Sequence, residues 1–176
     1  MALGDVPAHG FGLIQKITLT ADGVIDFTGI PAGYTNLRLV TTVRANVAAT
    51  FSNVWAKPNN DGAGNYWYQV LQASSSATVI GAPGAASTQG VLCGFCTGTT
   101  VSAADYATAE TLFFRYADTS CTTLAHGEGG IIASVNSIFR SHAALWNSTA
   151  AVNRLKLYSD ATDQWKAGSV ASLYGE

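Results

Sequence analysis

The residue types that most readily do chemistry are gathered in one stretch of the sequence. Cys93 and Cys96 form a Cys-x-x-Cys pair, and Cys121 and His126 follow it. These four side chains have the composition of a zinc site. However, two cysteines three residues apart on an extended strand point to opposite faces, and Cys121 and His126 lack zinc-finger spacing. The pattern therefore favours small buried residues, and we predict no bound metal and no cofactor.

Two catalytic patterns are present only in part. The sequence HGEGG, which begins at His126, resembles the glycine-rich oxyanion loop of esterases, but no Gly-x-Ser-x-Gly nucleophile motif accompanies it. A glycosidase needs two acidic side chains about 5–9 Å apart in a cleft. The glutamates are few, namely Glu110, Glu128 and Glu176, and most aspartates lie in predicted turns. We predict that the protein is not an enzyme.

The sequence Asn59-Asn60-Asp61-Gly62 resembles the start of a calcium-binding loop. It lacks the further acidic positions and the terminal glutamate that complete such a loop. A polar turn between strands is therefore the favoured interpretation.

An aromatic group gives the most suggestive binding signal. Tyr66, Trp67 and Tyr68 are consecutive, and Trp55 precedes them. On a strand, Tyr66 and Tyr68 share one face and Trp67 lies on the other, so one side is expected to face the core. Aromatic side chains exposed on a β-sandwich stack on sugars or anchor protein interfaces.

The composition favours an assembly over an isolated domain. Charged residues make up only 11% of the chain, the net charge is −2, and no charged residue occurs between Asp61 and Asp105. A surface of this kind can be buried against another subunit without desolvating ions. No basic stripe is present to neutralise phosphates, so we expect no nucleic-acid partner.

The sequence also bears on location. Its first ten residues, MALGDVPAHG, contain neither a basic segment nor an apolar segment of a secretory signal. No apolar run approaches the roughly 20 residues that cross a bilayer. We therefore expect synthesis in the cytoplasm and no membrane partner.

Alternating apolar residues and turn residues predict an all-β fold of about nine or ten short strands. The Asp22-Gly23 turn predicts a hairpin, because glycine accepts a positive φ. Residues 103–109 and 141–146 are predicted as short helical turns, and residues 74–90 as a loop. The pattern indicates an antiparallel β-sandwich, jelly roll or barrel. The predicted strands cover residues 15–20, 24–28, 36–46, 66–73, 91–97, 111–117, 130–139, 152–159 and 169–174.

We predict two regions in the chain. Residues 1–12 contain glycine and proline without a strand pattern, and are expected to form an N-terminal arm that a neighbouring subunit holds. Residues 13–176 are expected to form a single β-sandwich domain, since this length can bury a core.

Several blocks of the sequence, in order, resemble virion proteins of tailed bacteriophages. The opening ITLTADGVIDFTGIPAGYTNLRLV is similar to a recurrent hairpin followed by an Ile-Pro-x-x-Tyr-x-x-Leu-x-Leu strand. NNDGAGNYWYQVL and DYATAETLFFRYAD resemble the next blocks, and the closing block ends in Ser-Leu-Tyr-Gly. The chain departs from this pattern at Glu176, where an apolar residue is usual, and in residues 73–100, which match no block.

The resemblance implies a jelly-roll-like sandwich in a phage particle, and no catalytic residues. Such proteins sit on capsids as decoration proteins, often as trimers, and others form domains of tail fibres. We therefore expect a decoration protein on the capsid exterior that binds the major capsid protein as a homotrimer. The alternative is a tail-fibre module that recognises a glycan of the host surface. The residues predicted to contact another subunit or the capsid are Leu3, Val6, Phe11, Trp55 and Trp67.

Overall fold

The computed structural model describes residues 10–74, 79–83, 87–133 and 136–176. Within these ranges the chain forms strands and turns and no helix, which confirms the all-β class. Twelve strands are described, more than the nine or ten predicted. They are β1 (Gly12–Thr18), β2 (Asp26–Thr28), β3 (Asn36–Val43), β4 (Phe51–Pro58), β5 (Tyr66–Ser74), β6 (Val79–Pro83), β7 (Val91–Thr97), β8 (Ala107–Phe114), β9 (Thr123–Ala133), β10 (Asn136–Trp146), β11 (Arg154–Tyr158) and β12 (Val170–Gly175).

The strands form two antiparallel sheets that pack as a β-sandwich. The larger sheet has eight strands in the order β1-β12-β3-β8-β9-β10-β5-β6, and the smaller has four in the order β2-β11-β4-β7. Side chains from both sheets form the main hydrophobic core, in which Trp55, Trp146 and Trp165 are the largest buried groups. The predicted β-sandwich is thus confirmed, while the jelly-roll connectivity stays a prediction.

The last strand lies inside the larger sheet. β12 pairs with β1 on one side and with β3 on the other. Its Ala171 and Leu173 are fully buried, and the Glu176 backbone N–H donates to the Asn36 carbonyl. The predicted strand over residues 169–174 is therefore part of the core.

The Asp22-Gly23 turn does not form the predicted hairpin. β1 pairs with β12 in the larger sheet, whereas β2 pairs with β11 in the smaller one. The turn carries the chain between the sheets and is anchored to the segment before β12. Asp22 accepts hydrogen bonds from the Lys166 ammonium and the Ala167 backbone N–H.

Other local predictions were also wrong. Residues 141–146, predicted as a helical turn, lie in β10. Strand β8 begins at Ala107, inside the other predicted helical turn, residues 103–109. The predicted strand over residues 130–139 includes the end of β9 and the start of β10, which pair with each other, and its residues 134 and 135 lie outside the described ones. β4 was not predicted, and β6 lies within the predicted loop.

Strand β7 approaches the larger sheet closely because glycine lies at the contact. Gly94 has a φ of 118°, and a Cβ built on it would lie 2.5 Å from the Cβ of Ala109 in β8. The register between β4 and β7 shifts at this point. All seven residues of β7 are buried as a result, including both cysteines of the Cys-x-x-Cys pair.

Candidate interaction surface

The outer face of the larger sheet, turned away from the smaller sheet, carries a row of apolar side chains. Strand alternation sets this face: in β3, for example, buried residues alternate with half-buried ones. The register places Trp67 of β5 beside Leu145 of β10, and Leu145 beside Leu124 of β9. Leu124 in turn lies beside Phe114 of β8. Four neighbouring strands therefore present apolar groups side by side, which cross-strand contacts stabilise.

Two further apolar side chains extend this row along the strands. Leu71 of β5 and Phe139 of β10 are 58% and 53% exposed, and Leu124 is 48% exposed. β5 and β10 place no charged residue on the outer face. We call the resulting surface the apolar patch, and it consists of Trp67, Leu71, Phe114, Leu124, Phe139 and Leu145.

The part of the outer face beside the apolar patch is polar. Glu110 of β8 and Glu128 of β9 lie directly opposite each other, and they line a shallow hollow of about 340 Å³ that reaches Phe139. The guanidinium of Arg38 lies 2.6 Å from the Glu110 carboxylate, which is therefore ion-paired. Two acidic groups thus lie side by side on the sheet, but the hollow is open and one of the two has a basic partner.

The outer face of the smaller sheet has a different character. Arg154 forms a bidentate ion pair with Asp26, at 2.9 and 2.6 Å, and Lys156 pairs with Asp163 at 2.7 Å. Lys57 lies opposite Lys156, and the ammonium groups of both approach the ring of Tyr158. Such a densely charged face is suited to solvent, so the two outer faces of the sandwich are chemically distinct.

The five predicted contact residues have different locations. Trp67 belongs to the apolar patch and is 36% exposed, while Trp55 is buried in the core. Phe11 is half-buried, with the Arg38 guanidinium 5.4 Å from its ring centre. Leu3 and Val6 lie outside the described residues. The interface roles of all five stay predictions.

Most of the apolar patch was not predicted from the sequence. Leu71 could have been found, because it shares the parity of Trp67 on a predicted strand. Leu145 was assigned to a helical turn and Leu124 to no element, so their alternation could not be used. Phe139 was the last residue of a predicted strand for which no neighbouring strand could be named.

Trp55 is held by a carboxylate at the edge of the sandwich. The Asp160 carboxylate accepts hydrogen bonds from the Trp55 indole at 2.7 Å, from the Ser52 hydroxyl and from the backbone and side chain of Asn53. Burial raises the pKa of Asp160, but these hydrogen bonds outweigh burial and lower the pKa below its ordinary value. Asp160 is thereby fully occupied in fixing β4.

Arg140 and His142 lie on the buried face of β10. Arg140 donates to the side-chain oxygens of Asn53 and Gln72, and its guanidinium lies 3.7 Å from the centre of the Phe95 ring. The Nε2 atom of His142 lies 3.2 Å from the Thr111 hydroxyl. Burial, with a smaller contribution from the Arg140 charge, lowers the pKa of His142 from 6.5 to about 3. Both groups are therefore enclosed and help to fix the packing of the core.

The side chains considered for metal or redox chemistry lie in surroundings that fit a structural role. Cys93 and Cys96 are buried, and burial raises the pKa of each thiol to about 12. Cys121 is half-buried, and His126 is exposed on β9. In the part of the chain that the structure describes, no three His, Cys, Asp or Glu side chains are grouped so that they could hold a metal ion.

The loop that resembles part of a calcium site is stabilised by its own hydrogen bonds. Asn59 and Asn60 adopt positive φ values of 52° and 56°, which asparagine tolerates in turns. The Asp61 carboxylate accepts from the Ala63 backbone N–H, the Asn65 amide and the indole of the buried Trp146. Asp61 thus acts here as a turn-forming residue that also anchors the core.

No model of a known protein family matches the chain, and no curated protein matches it. None of the described residues forms a helix long and apolar enough to span a bilayer.

Proposed function

We propose that this chain is a structural protein of a tailed-bacteriophage particle, a decoration protein that binds the major capsid protein and stabilises the shell. It would act on the capsid exterior as a homo-oligomer, for which the sequence resemblance implies a trimer. The proposal includes no catalytic role and no cofactor. Its chemistry is the burial of apolar surface between neighbouring proteins.

The observation that carries the proposal is the apolar patch on a charge-poor chain. Apolar side chains occupy the ends of four neighbouring strands, and β5 and β10 add no charge to this face. Contacts of this kind contribute about 25 cal/mol per Å² of buried apolar surface and require no ion to be desolvated. They suit a protein that is held permanently against neighbours.

The test is to locate the protein in the particle and to remove it. Gel densitometry of purified particles should give a copy number comparable to that of the major capsid protein. Particles that lack the protein should release DNA at a lower temperature, and adding back the purified chain should restore the original value. A copy number matching tail proteins, or shells equally stable without the chain, would refute the proposal.

One observation favours a second candidate function, a tail-fibre module that binds a host glycan. Trp67 lies at a shallow hollow of about 300 Å³ with Gln69, Leu124 and Ala143, and an exposed indole beside an amide can stack on a sugar ring. A glycan array probed with the purified chain separates the two candidates. Selective binding that Trp67→Ala abolishes would support the tail-fibre function, while an array without signal would leave the capsid role as the better account.

A further inference from the structure

We propose that the outer face of the larger sheet binds the same face of a second copy of this chain. The apolar patch would form the dry part of this contact. The inference deepens the proposed function, because it names the surface through which copies associate. It rests on that function only in treating the chain as part of an assembly.

The distribution of charge selects this face over the opposite one. The apolar patch contains six apolar residues on four neighbouring strands, three of them about half exposed. The opposite outer face carries the ion pairs Arg154–Asp26 and Lys156–Asp163. Burying that charged face would desolvate several ions, whereas burying the apolar patch releases water without this penalty and leaves Arg38, Glu110 and Glu128 at the hydrated border of the contact.

The edges of the sheets are poor sites for association, which leaves the faces. At the edge of the larger sheet, β1 carries the exposed Lys16 and an irregular register between Leu13 and Gln15. Pro83 in β6, at the other edge, lacks a backbone donor. In the smaller sheet β2 has only three residues, and the end of β7 is bridged to Arg44. A basic residue, a bulge, a proline and a short strand each oppose pairing between sheet edges.

The size of the face fits a stable contact between two proteins. The larger sheet has eight strands, and with a spacing of about 4.8 Å and about 20 Å of length each they form a surface of roughly 770 Å², of which the four strands of the apolar patch make up about half. A standard interface buries about 800 Å² on each partner. The apolar patch supplies the dry part of such an interface, and Arg38, Glu110 and Glu128 beside it supply a polar border.

A second copy is the occupant that this surface fits by its own chemistry. Two sheets of a sandwich pack face to face through apolar side chains about 10 Å apart, and the apolar patch offers such a layer to its own copy. When a face binds itself, the two copies are related by a two-fold axis. The contact therefore predicts a dimer, or a larger assembly of dimers, where the sequence resemblance implies a trimer.

The experiment is sedimentation equilibrium of the full chain and of three lysine variants. Leu71→Lys and Leu124→Lys each place a charge in the apolar patch, and Val24→Lys is the matched control, since Val24 is an exposed apolar residue outside the larger sheet. We expect the wild type and the control to form a dimer. Each patch variant should dissociate at least about 100-fold more readily, because the lysine would be buried without a partner. Near-UV circular dichroism checks that each variant is folded.

The outcomes separate this inference from the proposed function. A dimer that both patch variants weaken, and the control does not, supports the face-to-face contact. A wild type that is still a monomer at about 100 μM overturns it, because a structural contact should form well below that concentration. So does an odd-numbered oligomer, or a dimer that all three variants leave intact. Particle binding by the decoration protein is measured separately, and its failure would not affect the result on the dimer.

Discussion

At the scale of single residues, Gly94 is the clearest position at which the fold leaves no room for a side chain. Its φ of 118° and the 2.5 Å approach of a built Cβ to Ala109 both exclude a side chain. We expect Gly94→Ala to lower the free energy of unfolding by about 2–4 kcal/mol, since strained backbone and overpacking add. The measurement is urea denaturation, with Gly33→Ala as the control because no atom lies within 4 Å of its built Cβ. Equal stability of the two variants would show that β7 can move away from β8.

At the same scale, His142 makes stability depend on pH. Burial lowers its pKa from 6.5 to about 3, so between these values the unfolded chain binds a proton that the folded chain does not. The free energy of unfolding should therefore fall as the pH drops below about 6.5, by up to about 1.4 kcal/mol per pH unit. The measurement compares urea midpoints at about pH 7 and pH 5 for the wild type and His142→Gln.

The glutamine variant isolates the histidine, because lowered carboxyl pKa values, such as that of Asp160, also reduce stability in acid. Glutamine keeps a polar side chain that can form hydrogen bonds, and it does not titrate. We expect its midpoint to change less between the two pH values than the midpoint of the wild type. Identical changes in both proteins would show that His142 is not kept neutral by the fold.

At the scale of elements, the sequence predicts strands well where burial alternates strictly. β3 and β11 alternate buried and half-buried residues, and both lie within predicted strands. β4 was missed because its residues Val54, Trp55 and Ala56 are buried in succession, beside a register shift. The sequence SHAALW resembles a helix locally, but in β10 it pairs with β5 and β9 on both sides, so tertiary pairing outweighs local propensity.

The candidate site depended on this pairing. Trp67 could be identified from its own strand, since residue alternation separates it from Tyr66 and Tyr68. The rest of the apolar patch arises from the register of four strands, and no local pattern states which strands are neighbours. β1 and β2 illustrate the same limit. They were predicted to form a hairpin, but each pairs with another strand in a different sheet. A tight turn predicts a reversal of the chain, but not that both strands join the same sheet.

The β8–β9 pair carries a local conflict that a substitution should relieve. Glu110 and Glu128 lie directly opposite each other, and like charges in that position destabilise a sheet. We expect Glu128→Gln to raise the free energy of unfolding by about 0.5 kcal/mol at neutral pH and low salt. Chemical denaturation measures the change. Glu110→Gln is the control, because it also breaks the ion pair with Arg38 and should gain less. If Glu110→Gln gained more stability than Glu128→Gln, a group other than Glu128 would be the source of the repulsion at Glu110.

For the whole molecule, the contrast between the two outer faces predicts how association responds to salt. The outer face of the smaller sheet carries the ion pairs Arg154–Asp26 and Lys156–Asp163, while the apolar patch has no charge for salt to screen. If copies associate through the apolar patch, raising NaCl from about 50 to about 500 mM should leave the dimer dissociation constant unchanged or lower it, since screening weakens only charge contacts. Isothermal dilution calorimetry at several temperatures should also give a negative heat-capacity change on association, as expected for buried apolar surface. A dissociation constant that rises steeply with salt would mean that ion pairs hold the copies together, which the charged face of the smaller sheet could provide and the apolar patch could not.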